Sequence, residues 1–141
     1  DFDAWRSRLE QWQNASQVPE RFVLVHYPDA TSDPLQNFET MVRVANEHGI
    51  SRILVDTLHK NGRTLLDHLP VGLLSQTIEI AAQDGIEVMA AGSLKLEQLY
   101  GIWNAGAKII GIRSAVCRSN SRVQGICPDR LRALGEFFIK P

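Results

Sequence analysis

The aspartate and the lysine that follow the apolar run 53–55 are the residues of this sequence best suited to acid–base chemistry. Asp56 ends the run, and Lys60 comes four positions later in the segment ILVDTLHKNG. An aspartate can move a proton at a carbon next to a carbonyl group, and a lysine can form a Schiff base or donate a proton. The same two side chains could instead form a structural ion pair, because each charge stabilises the other. The spacing leaves both interpretations open.

Two glycine-containing segments suggest a site for a phosphate group. Gly92 would let the backbone approach an anion closely, and Ser93 offers a hydroxyl at the start of a predicted helix, where the helix dipole favours negative charge. Gly111 and Arg113 could form the second half of such a phosphate cradle. The alternative is that Gly92 and Ser93 are only a turn and a helix N-cap.

Four consecutive βα units are predicted to position these residues. Short apolar runs predict strands at 22–27, 52–56, 87–92 and 108–113. Helical spacing predicts helices at 33–49, around 70–84, from Ser93 to Gly106 and from Pro128 onwards. Strands of this kind form a parallel sheet whose carboxyl ends share one rim, where function gathers. The fold class is therefore α/β, and all the candidate residues should lie on the same rim.

The apolar residues of each predicted helix should face the core. Residues 1–20 form an N-terminal helix, interpreted as a packing helix, and a linker turn at ASQVPE; residues 21–141 form the four βα units. The predicted core positions are Phe2, Trp5, Leu9 and Trp12; Leu35, Phe38, Met41, Val42 and Ala45; Leu73, Leu74, Ile78 and Ala81; Leu96, Leu99 and Trp103; and Leu131, Leu134 and Phe138. Asp33, Pro34 and Gly49 mark the ends of the second helix.

Composition excludes several classes of protein. The chain has 141 residues, 44% of them hydrophobic, and a net charge of −1, so no basic surface for nucleic acid is expected. No apolar run is long enough to cross a membrane. Two cysteines, Cys117 and Cys127, fit neither a disulfide framework nor a zinc pattern, which favours a cytoplasmic protein without a metal site. Because residue 1 is Asp and not Met, we expect the sequence to be cut from a longer chain or processed.

Among the histidines, only His26 is a candidate for the rim. It ends the first predicted strand and could line the site. The other three, His48, His59 and His68, fall on loops or helix ends and are expected to be solvated.

Three segments resemble the (5-formylfuran-3-yl)methyl phosphate synthase family: LVDTLHKNGRTLLDHLP, MAAGSLKLEQL and IIGIRSAVC, in that order. This resemblance covers about residues 22–135 and implies a (β/α)8 barrel related to class I aldolase-like lyases. Members condense two molecules of glyceraldehyde 3-phosphate on the way to methanofuran-type cofactors. It also implies that no metal or organic cofactor is needed, because a lysine imine acts as the electron sink.

The resemblance carries roles onto particular residues. It implies that Asp56 and Lys60 are catalytic and that Gly92 and Ser93 bind the substrate phosphate. The loop that follows the last strand would contribute Arg113, Ser114 and Ala115 to the same task. The match of Tyr27 and Asp29 to site residues after the fifth barrel strand is looser.

The segment that carries the family's Schiff-base lysine has no counterpart in this sequence. The chain resembles strands five to eight, the C-terminal half of the barrel. Such a half is expected to associate with itself or with an N-terminal half-barrel, because two sheet edges and an apolar face would otherwise be exposed. Two alternatives to a lyase remain: a phosphate-ligand binding module or pseudoenzyme without the imine lysine, and a half-domain that only assembles.

Overall fold

The chain forms a parallel α/β sheet with helices packed on it. The computed structural model describes residues 2–16, 22–121 and 123–139, with the backbone alone at residue 2 and at 137–139. Within these residues, four parallel strands follow one another in the sheet in the order of the sequence. They are β1 Leu24–His26, β2 Arg52–Val55, β3 Glu87–Ala90 and β4 Ile109–Ile110. The predicted α/β class and the parallel arrangement are therefore confirmed.

Helices alternate with the strands as predicted. The α-helices are α1 Phe2–Ala15, α2 Pro34–Glu47, α3 Val71–Gln83, α4 Leu99–Asn104 and α5 Pro128–Ile139. Short 3-10 turns lie at Pro28–Ala30, Leu65–Asp67, Leu96–Gln98, Ser114–Val116 and Arg118–Asn120. None of the described helices could span a membrane.

One face of the sheet forms the core with the helices. Ile53, Val55 and Ala90 point toward the helices and are fully buried. Phe38 of α2 and Leu74 of α3 cover them and are themselves fully buried. Helix α1 packs beside α2: Leu9 is buried, and the Arg6 guanidinium lies 3.1 Å from the Glu47 carboxylate. Contacts of this kind are expected of a helix that packs against the core.

The opposite face of the sheet is apolar and only partly covered. Val25, Leu54, Met89 and Ile109 lie side by side across the four strands. Exposure is 42% for Ile109 at one edge of the sheet and 40% for Val23 at the other. In the part of the chain that the structure describes, β1 and β4 each have one edge without a neighbouring strand. We call this row of residues the open face.

Several predicted core positions are wrong because the helices turn other residues inward. In α3 the buried positions are Leu74, Thr77 and Ala81, and this helical phase leaves Leu73 41% exposed. Thr77 tolerates burial because its hydroxyl donates a hydrogen bond to the Leu73 carbonyl, at 2.7 Å. Exposure is also substantial at Trp12, Trp103 and Leu131. The side chains of Phe2 and Phe138 and most of the ASQVPE segment lie outside the described residues.

The predicted ends of α2 are confirmed, whereas the predicted start of the third helix is wrong. Asp33 accepts a hydrogen bond from the Gln36 N–H at 3.0 Å, and Gly49 has the positive φ of a helix stop. Ser93 does not cap a helix. Its backbone is left-handed, and the chain continues to Leu96 before a 3-10 turn leads into α4 at Leu99.

Candidate active site

Lys60 reaches back to Asp56 at the carboxyl end of β2. Its Nζ atom donates to Asp56 Oδ1 at 3.1 Å, to the Thr57 hydroxyl at 3.1 Å and to the Thr57 carbonyl oxygen. Asp56 Oδ1 also accepts the Thr57 N–H at 2.7 Å. Three acceptors match the three hydrogens of an ammonium group, so this geometry presents Lys60 as a cation and a proton donor.

Glycine is required at position 92 by packing, and the same turn also lies in the candidate site. A side chain at this position would put a Cβ atom 3.0 Å from the Thr57 nitrogen and 3.2 Å from Leu65 Cβ. Its φ of +109° also suits glycine alone. In addition, the Gly92 carbonyl accepts the Leu65 N–H at 2.8 Å. Gly92 therefore allows the loop after β2 to pack directly against the end of β3.

Ser93 adopts a backbone conformation that is uncommon for a residue with a side chain. Its φ of +51° lies in the left-handed region. Such conformations cost about 1 kcal/mol or more and persist where the surroundings enforce them, often at functional sites. The conformation brings Ser93 into the wall of a cavity together with Gly92.

That cavity brings together most of the candidate residues. It has a volume of about 260 Å³ and is open to solvent. Its lining includes seven predicted residues: Asp56, Lys60, Gly92, Ser93, Gly111, Arg113 and Ser114. Arg113 is exposed and has no carboxylate partner within the described residues. The three strand exits thus place an acid, an amine, an arginine and two glycine turns around one space, which we call the rim cavity.

Asp29 lies beside this group as a loop anchor. Its carboxylate accepts the N–H groups of Leu58 and His59, both at 2.8 Å, and lies 3.1 Å from the His59 ring. Burial alone would raise the pKa of Asp29, but the hydrogen bonds from His59 and Leu58 outweigh it and lower the pKa below its usual 3.8. With 2% of its side chain exposed, Asp29 fixes the segment that leads to Lys60.

Tyr27 and His26 lie away from the rim cavity. Tyr27 lines a separate groove of about 420 Å³ with Trp5 and Met41. His26 points toward the helices, where its ring makes an edge-on contact with Phe38 at 5.3 Å. Burial lowers the pKa of His26 to about 4, and the nearby Asn37 side chain offsets only part of this effect. His26 is thus a neutral core residue and does not line the site.

Some residues around the site had not been predicted. Thr57 is buried and holds Lys60, while the Gln98 side chain donates to the Thr64 hydroxyl at 3.0 Å and joins the loops after β2 and β3. Lys95 and Arg130 line a second cavity that adjoins the first. Arg130 did leave a signal in the sequence, because a basic residue in the first turn of a helix opposes the helix dipole.

Comparisons with known proteins identify the family of the chain. The sequence pattern of the 4-HFC-P synthase family matches residues 1–135. A (5-formylfuran-3-yl)methyl phosphate synthase of Methanococcus maripaludis is 33% identical over 93 residues, which are 66% of this chain and 38% of that protein. The enzyme of the same name from Methanopyrus kandleri is 33% identical over 121 residues, covering 82% of this chain and 49% of that protein.

The match leaves much of each relative outside the aligned region, since the chain spans less than half the length of either enzyme. A crystal structure of a xylose isomerase domain protein from Planctomyces limnophilus superposes with a TM-score of 0.46 and 16% identity, over 74% of this chain and 38% of that one. The family match over nearly the whole chain is decisive: the chain belongs to the 4-HFC-P synthase family.

Proposed function

We propose that this chain supplies the proton-transfer and phosphate-binding half of a (β/α)8 lyase. The complete enzyme condenses two molecules of glyceraldehyde 3-phosphate into (5-formylfuran-3-yl)methyl phosphate, a step toward methanofuran-type cofactors. The observation that carries this proposal is the rim cavity, in which the Asp56–Lys60 pair shares one space with Gly92, Ser93 and Arg113.

The stoichiometry of the reaction defines the chemical steps that such a site must support. Two triose phosphates contain one phosphate and two waters more than the furan product, so three groups leave after the carbon–carbon bond has formed. Each elimination needs a base for a proton on carbon, and a hydroxyl leaves readily only if it receives a proton. The departing phosphate needs positive charge beside it.

The residues of the rim cavity match these tasks. The Asp56 carboxylate is 26% exposed and can accept a proton, while the Lys60 ammonium can deliver one to a leaving hydroxyl. The backbone at Gly92, the Ser93 hydroxyl and the Arg113 guanidinium would hold a substrate phosphate, with Gly111 and Ser114 completing the wall. Asp29 would keep the loop before Lys60 in position.

The imine that activates the first triose phosphate would form on a lysine outside this sequence. We assign the open face to a complementary set of four βα units, because those units would pair both free sheet edges and cover the row from Val25 to Ile109. The Methanococcus maripaludis relative extends well beyond its aligned region, so it contains enough additional chain for such units.

Borohydride trapping tests the proposal. The chain would be co-expressed with the unaligned N-terminal part of the Methanococcus maripaludis enzyme, and the complex incubated with glyceraldehyde 3-phosphate and borohydride. We expect a one-to-one complex that is labelled on the partner polypeptide and turns over substrate. Label on Lys60, or a self-dimer that ignores the partner, would overturn the assignment of the imine or of the open face respectively.

A phosphate-binding module is the second candidate, and one observation favours it for the chain by itself. The Nζ atom of Lys60 donates to Asp56 and to two oxygens of Thr57, so its hydrogen bonds hold it within the chain and do not present it to a substrate aldehyde. If the complex with the relative's N-terminal part binds glycerol 3-phosphate but shows neither label nor turnover, the module is the correct interpretation.

A further inference from the structure

A second cavity adjoins the rim cavity and carries positive charge of its own. Its volume is about 760 Å³, and it shares Lys60, Ser93, Leu94 and Ser114 with the smaller one. The rest of its lining includes Lys95, Glu97, Asn120, Ser121 and Arg130. The two cavities therefore form one continuous groove along the exits of β2, β3 and β4.

Arg130 gives this groove a fixed cation. Its guanidinium donates to the Ala115 carbonyl at 3.3 Å and to the side-chain oxygen of Asn120. Both acceptors are neutral, and across the described residues no carboxylate lies within ion-pair distance of Arg130. An arginine oriented by neutral groups keeps its full charge and its remaining N–H groups for an incoming anion.

The loop that orients Arg130 is held in an unusual conformation. Ser119 and Asn120, two consecutive residues, have φ values of +51° and +53°. In this conformation the Asn120 side chain accepts a hydrogen bond from Arg130, and Asn120 and Ser121 both line the cavity. For Ser119 such a conformation costs about 1 kcal/mol or more, whereas asparagine adopts it readily.

The charges that line the larger cavity favour an anion. Lys95 and Arg130 are opposed by Glu97 alone, while Lys60 is already paired with Asp56. Lys95 projects from the loop after β3 and Arg130 from the first turns of α5, so the two cations approach from different elements. Hydroxyl groups of Ser93, Ser114 and Ser121 lie in the same lining.

We propose that Lys95 and Arg130 form a second phosphate subsite, which holds the phosphate of one triose phosphate while the rim cavity holds that of the other. This inference rests on the proposed function, because a condensation of two phosphorylated molecules requires two anion subsites in one groove. The shared wall of Lys60, Ser93 and Ser114 keeps the carbon chains of both molecules beside the Asp56–Lys60 pair.

Titration of the chain with inorganic phosphate, followed by calorimetry, tests the second subsite. We expect two sites in the wild-type protein. Lys95→Gln and Arg130→Gln should each weaken one site by at least about tenfold, as expected for loss of a charge-assisted hydrogen bond, and leave the other unchanged. Arg113→Gln should show the reverse pattern.

Matched controls separate this proposal from a loss of structure and from the proposed function. Arg132→Gln changes the same residue type two positions along α5, where the side chain pairs with exposed Asp129 and lines neither cavity, so both sites should persist. Lys95 is exposed, so Lys95→Gln should keep the fold. This variant therefore tests the subsite even if Arg130→Gln disturbs the loop that contacts Arg130. A single site in the wild type, or two intact sites in both Lys95→Gln and Arg130→Gln, overturns the second subsite. A wild-type site that depends on Lys95 and Arg130, with no site that depends on Arg113, would instead overturn the proposed function.

Discussion

The Nζ atom of Lys60 lies 3.1 Å from Oδ1 of Asp56, one loop turn beyond the end of β2. Both side chains are partly exposed, at 36% and 26%, so the pair contributes little to stability and remains accessible to a substrate. The carboxylate accepts its hydrogen bonds through one oxygen, and the second oxygen faces no hydrogen-bond donor within the described residues. This second oxygen is the group that we assign to proton abstraction.

Asp56→Asn should strongly reduce turnover and keep phosphate binding in the complete enzyme. The amide oxygen of asparagine can still accept from Thr57 and Lys60, so the loop is retained, but the base is gone. We expect kcat to fall about a hundredfold to ten-thousandfold. Steady-state assays and phosphate calorimetry would measure the two properties separately. Asp84→Asn, at the end of α3, is the control and should leave both unchanged; normal turnover in Asp56→Asn would remove Asp56 from the mechanism.

Gly92→Ala should destabilise the fold. The added methyl group meets backbone and packed carbon atoms of the loop after β2, and the positive φ adds strain. We expect the free energy of unfolding to fall by roughly 2 to 3 kcal/mol, measured by urea denaturation. Gly72→Ala is the control: that glycine lies in the first turn of α3 with no atom within 4 Å of the added group, so it should stabilise by about 0.5 kcal/mol. Equal effects of the two substitutions would show that the contact between Gly92 and Thr57 is unimportant.

Two substitutions at Ser93 separate its hydroxyl from its backbone. Ser93→Ala removes the hydroxyl and keeps the strain of the left-handed φ. Ser93→Gly removes the hydroxyl and also the strain, because glycine adopts this φ readily. We expect either variant to weaken phosphate binding about two- to tenfold, because one hydrogen bond is lost. Only the glycine variant should relieve the strain, so thermal unfolding should rank it as the more stable of the two. Unchanged phosphate affinity in both variants would exclude the hydroxyl from the cradle.

The sequence predicted the topology because the signals for it are local. Apolar runs, the Asp33 cap and the Gly49 stop each depend on a few neighbouring residues, and they define the βα units without reference to the rest of the chain. The common rim then follows from parallel strands. The details of the site depend on contacts between distant segments, which periodicity does not encode: Asp29 binds residues about thirty positions away, and Gly92 packs on Thr57. The phase error at Leu73 has the same origin, since packing against other elements sets which side of α3 is buried.

Asp29→Asn should loosen the loop that carries Lys60. The NH₂ group that replaces one carboxylate oxygen cannot accept a hydrogen bond, so the backbone N–H of either Leu58 or His59 would lose its acceptor. We expect a loss of roughly 1 to 3 kcal/mol in stability and faster amide exchange at Leu58 and His59. Asp33→Asn is the control, because asparagine caps a helix as well as aspartate does and the stability should hardly change. Slow exchange at both amides in Asp29→Asn would show that the loop is fixed by other contacts.

Burial of His26 should make stability depend on pH between about 4 and 6.5. The unfolded chain takes up a proton at the ordinary histidine pKa of 6.5, whereas the folded protein resists until about pH 4. The unfolded state therefore binds more protons in this window, and stability is lost as pH falls through it. We expect a loss of roughly 2 kcal/mol between pH 7 and pH 5, measured by urea denaturation at both values.

His26→Leu provides the matched comparison for that pH dependence. Leucine suits the apolar contact with Phe38 and cannot titrate, so its stability should change much less over the same interval. Asp29 and Asp67 should not contribute to the change in stability between pH 7 and pH 5. Both have a pKa lowered from 3.8, so the stability that they provide is lost only at more acidic pH. If the leucine variant loses as much stability between pH 7 and pH 5 as the wild type, the dependence belongs to another group and His26 does not control it.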